Sequence, residues 1–331
     1  MRKLYVSEPN DVQMQTYEDV APVQEDEVKV HIRYAGICGS DISYLKGKFA
    51  HGKFPLIPGH EAVGTIVEAG EDALYQIGTK VVILPNTYCG TCLFCKEGKT
   101  NICENKQSFG INKDGAFQDM FVVSSKFVLP IPNDIPEERA VIIEPLAVVV
   151  SACKKVQIKE GMNIAVIGSG TIGLLSIAYA LYLGANVTVT DINPKKHECA
   201  QQLGDVQTAY PHEIEEGAFD IVIEAAGTAD SFVQAIRCMK PGGAMIGIGI
   251  VPDVEIPATQ IIRNDQTIYG SIIYKFPEDF EDTIQLLQQK NFFIDPIYSK
   301  TFPLEQYKEA FALAKYGTEA KITLDFAQSS I

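Results

Sequence analysis

Over the first 145 residues, short apolar runs at 27–34, 62–69, 80–84, 117–123 and 127–130 alternate with glycine and proline. Runs of this length, rich in β-branched residues and bounded by turn formers, predict the strands of an antiparallel, barrel-like β domain. From about Leu146 the texture changes to a helix ending near Lys154. Apolar strands at 163–167, 186–190, 221–225 and 244–248 then alternate with helical segments. That alternation predicts a parallel sheet with helical crossovers. Beyond Tyr274, residues 278–290 place Phe280, Ile284 and Leu287 at helical spacing, 304–314 repeat the pattern, and 321–326 read as a strand able to return to the first domain. The expected class is α/β. Residues 1–145 and 275–331 form one discontinuous, β-rich domain around a doubly wound unit at 146–274.

At 331 residues and 46% hydrophobic, the chain is long enough for about two domains with a sizeable core. Residues 161–190 carry no charge, but glycines interrupt them, and 172–183 is only twelve residues. A membrane span needs about 20, so strand, tight loop and buried helix fit better. The net charge of −14 repels phosphate backbones and anionic membranes, so neither nucleic acid nor membrane is an expected partner. The first nine residues reach charge and proline too early for a secretory leader, and a cytoplasmic location is expected. Eight cysteines in a chain of this length do not suggest a disulfide framework. Their spacing points to metal.

The strand at 163–167 runs into Gly168-Ser169-Gly170-Thr171-Ile172-Gly173 and an apolar helix follows. In that context the first glycine permits a tight turn, the second lets a pyrophosphate reach the backbone, and the third packs helix on strand. The phosphates then lie on free amides at the helix start. The next strand ends in Asp191, a carboxylate placed to accept from ribose hydroxyls and to repel a 2′-phosphate. NAD is therefore the expected cofactor, with Lys195 and Lys196 leaving room for NADP.

Cys89, Cys92, Cys95 and Cys103 stand three, three and eight residues apart, with Gly90 and Gly98 easing the turns. Four thiolates at this spacing suit a closed structural zinc site. An iron–sulfur cluster fits less well, because the fourth cysteine lies far along and no proline follows it. Cys38 in Gly36-Ile37-Cys38-Gly39-Ser40-Asp41, with His60 and Glu61, supplies a thiolate, an imidazole and a carboxylate, the makings of a zinc site with an open position. Glu144, in Ile143-Glu144-Pro145-Leu146, is a further carboxylate at the presumed domain junction.

The string Gly59-His60-Glu61-Ala62-Val63-Gly64, continuing to Gly70 and Ala73, resembles the signature of zinc-containing alcohol dehydrogenases in the medium-chain dehydrogenase/reductase superfamily. The preceding cysteine, the cysteine lobe and the glycine loop follow in that family's order, so the resemblance spans essentially the whole chain. It implies a GroES-like catalytic domain built from both chain ends, a Rossmann domain between them, two zinc ions per chain, NAD, and a homodimer or homotetramer. Edge-to-edge joining of Rossmann sheets would draw on the apolar stretch 245–251.

Glu144 in its Glu-Pro-Leu setting resembles the polyol branch, where a glutamate replaces the third zinc-ligand cysteine. On this analogy Cys38 and His60 are ligands, and Glu61 and Glu144 compete for the remaining position. Ser40 matches the hydroxyl that takes the alcohol proton, or else caps a helix. Ser43 stands where many relatives place a relay histidine, with His51 as a substitute. Tyr44 and Tyr274 match substrate-pocket tyrosines of the branch, but Ile273 replaces an arginine common there. The expected reaction is oxidation of a secondary alcohol, a polyol or small diol, to the ketone. The alternatives are a sugar-alcohol phosphate, for which Lys46, Lys48, His51 and Lys53 form a basic run, a threonine-type amino alcohol, or a non-catalytic NAD-binding protein that keeps only the lobe zinc.

Overall fold

The computed structural model describes residues 1–18, 22–48 and 54–327. Among them the chain forms two large sheets. The parallel sheet has six strands in the order Val206–Ala209, Asn186–Thr190, Asn163–Ile167, Phe219–Glu224, Met239–Gly247 and Thr267–Gly270. Numbered along the chain this is 3-2-1-4-5-6, the doubly wound arrangement whose crevice opens where the order reverses, beside Asn163–Ile167. The uncharged stretch resolves as expected into the strand Asn163–Ile167, the glycine loop, the helix Thr171–Tyr182 and the strand Asn186–Thr190. No helix of the described residues is long and apolar enough to cross a membrane.

The second sheet runs Tyr298–Pro303, Lys321–Asp325, Glu27–Ile37, Glu61–Ala69, Lys80–Ile83 and Val128–Pro130, with Met120–Ser124 also paired to Glu27–Ile37. Its register brings the two ends of the chain together, Ile322 opposite Ile37 and Gly36 opposite Glu61. Gly36, Ile37 and Cys38 thus leave the central strand with Glu61 on one side and the end of the chain on the other.

Several boundaries differ from the sequence reading. The hairpin Arg2–Glu8 with Asp11–Thr16 and the strands Val206–Ala209, Thr267–Gly270 and Tyr298–Pro303 were not anticipated. Most of them expose much of their length, so none carries a continuous apolar run. The strand expected from Phe117 starts at Met120, because the amides of Ala116 and Phe117 bond the carbonyls of Gly59 and Pro58. The helix expected from Leu146 begins at Ile143, with Pro145 in its first turn, where a missing amide costs nothing. Glu144 is thereby a first-turn residue. The stretch 245–251 is not at a sheet edge: Met239–Gly247 is covered by Thr267–Gly270, which holds the free edge.

Close packing explains two of the loop glycines and leaves space at the third. Gly168 has φ +93° and no room for a Cβ beside Ala226, and a Cβ on Gly173 would lie 1.9 Å from the Gly168 carbonyl oxygen. A Cβ on Gly170 meets nothing within 4 Å. Gly173→Ala should therefore cost about 2 kcal/mol or more of stability, read as a fall in thermal midpoint. Gly170→Ala should leave stability within about 0.5 kcal/mol yet weaken dinucleotide binding about tenfold. Equal midpoints for the two variants would contradict this division.

Candidate metal and dinucleotide site

Cys38 ends the central strand and caps the helix Gly39–Leu45. The cap position falls to Cys38 and not to Ser40, which lies inside the first turn. The Cys38 amide donates to Asp41 Oδ2 at 2.9 Å, and the Gly59 amide approaches Asp41 Oδ1 at 3.4 Å. His60 Nδ1 stands 3.3 Å from the same oxygen, close enough to pair when protonated but outside hydrogen-bond geometry. One buried carboxylate thus collects the two segments that carry Cys38 and His60. Gly59, at φ +96° and against the Phe117 ring, admits no side chain there.

Cys38, His60 and Glu61 each offer a donor atom within 4.8 Å of the others. A thiolate, an imidazole and a carboxylate converging in this way suit zinc and leave a fourth position open. Glu61 Oε2 is held in a buried ion pair by Lys321, whereas Glu61 Oε1 has no partner among the described residues. Ser40 Oγ lies 3.1 Å from His60 Nε2. Glu144 is buried in the same pocket but stands outside the three-donor group. Burial pushes its carboxyl up to about 7 against the pull of His60, with Glu61 reinforcing the rise. Burial disfavours a charged His60, but Asp41 and Cys38 more than offset this and hold its proton affinity well above the usual range.

Asp41 and Lys321 were not singled out from the sequence. Asp41 had a weak signal, an acid three residues after the candidate ligand, whereas Lys321 had none, standing 260 residues from Glu61. Tyr44 and Tyr274 are both almost fully buried. Tyr44 stacks on Phe54, with ring centroids 4.6 Å apart. The Tyr274 hydroxyl accepts from Asn86 Nδ2 at 2.9 Å, and the Glu144 carboxyl nearby adds to the burial that raises the phenol's proton affinity. Lys46 and Lys48 are exposed, while His51 and Lys53 lie outside the described residues.

In the lobe, Cys89, Cys92, Cys95 and Cys103 bring four sulfurs within 4.8 Å of one another. Backbone amides aim at them: Cys92 N on Cys89 Sγ at 3.3 Å and Cys95 N on Cys92 Sγ at 3.5 Å. Such donors favour thiolate, and Thr91 together with the Cys92 amide lowers Cys89 to about 5, while burial raises Cys95 to about 12. A closed four-sulfur set of this kind fits zinc.

At the crevice of the parallel sheet, Asp191 Oδ2 accepts from both Ser169 N, at 2.9 Å, and Ser169 Oγ, at 3.0 Å. Asp191 Oδ1 accepts from Asn193 N at 2.9 Å, and Lys196 Nζ stands 3.8 Å from the carboxylate. The acid is thus fastened to the glycine loop. The Thr171 hydroxyl reaches across to the Ala320 carbonyl, next to Lys321.

Comparison with known proteins places these observations. The family described as alcohol dehydrogenase GroES-like domain matches residues 24–133, and that described as zinc-binding dehydrogenase matches residues 171–289. The sorbitol dehydrogenase of Bacillus subtilis is 30% identical over 314 residues, covering 89% of this chain and 88% of its own. Among solved structures, a zinc-binding dehydrogenase from Sinorhizobium meliloti bound to NADP superposes with a TM-score of 0.91 at 28% identity, covering 98% of each chain. Galactitol-1-phosphate dehydrogenase from Escherichia coli gives 0.90 at 27% identity, covering 98% of this chain and all of its own.

Zinc competes with a proton on His60, whose proton affinity Asp41 and Cys38 raise. Zinc affinity at this site should therefore fall on acidification and rise about tenfold per pH unit for each proton displaced. Chelator competition on the metal-free protein across neutral pH checks this, and a flat profile would overturn it.

Proposed function

The chain belongs to the zinc-containing medium-chain dehydrogenases, in the branch that holds the polyol dehydrogenases, and we propose that it oxidises a secondary alcohol of polyol or small-diol type to the ketone with NAD as hydride acceptor. The observation that carries this reading is the convergence of Cys38, His60 and Glu61 in one buried pocket, with Ser40 beside them. A protein that kept only the lobe zinc would have no reason to gather a second donor set.

In this reading Cys38, His60 and Glu61 hold the catalytic zinc. Glu61 does so through Oε1, because Oε2 belongs to Lys321. Bound zinc supplies Lewis acidity at the substrate oxygen. Asp41 orients His60 and leaves Nε2 facing inward, and Ser40 takes the alcohol proton. Glu144 lies buried close to His60 and Glu61, where a carboxyl near 7 exchanges a proton at neutral pH. The chain places Ser43 where a relay histidine is common, so the proton leaves by another route. On the dinucleotide side, the amides of the Gly168–Gly173 loop receive the pyrophosphate and Asp191 receives the ribose.

A phosphorylated sugar alcohol is the second reading, supported by the exposed Lys46 and Lys48 just after the helix that carries Ser40, and by the likeness to galactitol-1-phosphate dehydrogenase. NADH formation over matched polyols, diols, polyol phosphates and threonine separates the readings. A phosphate preference that disappears on replacing Lys46 and Lys48 selects the second.

Two variants test the assignment. Cys38→Ser should reduce zinc content from about two ions per chain to about one and turnover by at least about a thousandfold, with NAD binding kept; unchanged turnover would sink the zinc mechanism. Asp191→Gly should shift the ratio of kcat/KM toward NADP by about tenfold or more, the order expected from removing one charge near a phosphate. A parent enzyme already faster with NADP would contradict the NAD assignment.

A further inference from the structure

Three hydrogen bonds join the four-cysteine lobe and its flanks to the stretch that leaves the last strand of the parallel sheet. Asn101 Nδ2 donates to the Ile272 carbonyl at 3.3 Å, the Phe276 amide donates to Thr100 Oγ1 at 3.0 Å, and Asn86 Nδ2 donates to the Tyr274 hydroxyl at 2.9 Å. Asn86 is itself fixed, its Oδ1 accepting from Ser108 Oγ at 2.7 Å. Thr100 and Asn101 belong to the short turn Thr100–Ile102, directly before Cys103, whose amide donates to the Thr100 carbonyl at 3.2 Å. The turn that grips the stretch is therefore continuous with a sulfur of the lobe.

The gripped stretch is not relaxed. Ile273 has φ +41°, a region that a β-branched residue occupies only when its surroundings impose it. Its immediate successor is Tyr274, buried against the Phe280 ring with centroids 4.7 Å apart. With the Asn86 amide donating to the tyrosine oxygen, the phenol keeps its own proton to donate, and Glu144 is the carboxyl beside it. Loosening the grip would let Ile273 relax and carry the hydroxyl away from that carboxyl.

We propose that Asn86, Thr100 and Asn101 are positioning residues, through which the four-cysteine lobe sets Tyr274 against Glu144 and so shapes the alcohol side of the reaction. Tyr274 is then a holder of Glu144 more than a wall of the substrate pocket. The lobe contributes to turnover through placement, beyond stabilising its own loop. This inference rests on the reading that Glu144 faces the reacting alcohol.

The test uses the zinc-loaded enzyme and the double variant Thr100→Val with Asn101→Leu, alongside Thr100→Ser, which keeps the hydroxyl acceptor. Hydrogen exchange by mass spectrometry over residues 271–277 reads the grip without any substrate. In the double variant exchange there should rise about tenfold or more, and kcat/KM for the alcohol should fall by a similar factor, the order of one or two lost hydrogen bonds. The KM for the dinucleotide and the zinc content should stay at the parent's values, and Thr100→Ser should follow the parent in every measurement. Unchanged exchange would show that the lobe does not hold the stretch. Raised exchange with unaltered alcohol kinetics would show that its position is immaterial, and equal losses on the alcohol and dinucleotide sides would indicate general loosening. Each of these overturns the proposal. A parent that oxidises none of the alcohols tried would instead defeat the functional reading, and the exchange measurement would still decide whether the lobe holds the stretch.

Discussion

The buried ion pair between Lys321 and Glu61 ties the start of the last strand to the candidate metal pocket. Both side chains are almost wholly removed from water, and deleting one partner of such a pair leaves a bare charge at a cost of about 3–5 kcal/mol. The lysine reaches its partner only if the last strand pairs with Glu27–Ile37 in the register observed, Ile322 opposite Ile37. A shift of one residue would turn Lys321 to the other face and pair a hydrophobic residue with the carboxylate. Around the pair, Cys38, Asp41 and Glu144 gather beside one ammonium and one imidazole. The pocket thus suits a metal ion through its donor types.

Parts of this arrangement were legible in the sequence in proportion to how local they are. The glycine loop lies within six residues and the cysteine lobe within fifteen, so their spacing alone prescribes their geometry. Cys38, His60 and Glu61 were readable as a donor set by residue type, and their convergence became an expectation through family resemblance. Lys321 was opaque. A lysine in a terminal strand reads as a solvent-facing residue, and only the antiparallel pairing of the two chain ends turns it inward. Asp41 was hidden for a different reason, since an acid beside Ser40 reads as an ordinary first-turn charge. The edge strands of both sheets escaped because pairing on one side alone lets a strand keep polar residues. Glu144 was seen as a candidate, but its placement on a first helical turn depended on Pro145 being tolerated there.

The dinucleotide loop and the metal pocket are held in common. Thr171, at the start of the helix after the glycine loop, bonds the Ala320 carbonyl, and the next residue, Lys321, pairs with Glu61. The Ala320 amide is fixed in turn by Ser299 Oγ at 2.8 Å. A short span of the returning chain therefore touches the cofactor side with its backbone and the metal side with its side chain. Hydride transfer depends on placing two reactants to within a fraction of an ångström, and a span of two residues transmits position with little slack.

The lobe acts on the same pocket from the opposite direction. It grips the stretch 272–276, where the chain leaves the parallel sheet, while the span at 320–321 grips where the chain has returned to the β-rich sheet. Glu61 and Glu144, the two carboxylates between which the third ligand was left open, thus each lie beside a different crossing, Glu61 paired with Lys321 and Glu144 next to Tyr274. The two neighbours differ in kind. Glu61 pairs with an ammonium, whereas the neighbour of Glu144 is a neutral phenol. In the proposed reading this difference in partners favours Glu61 for the metal and Glu144 for the proton.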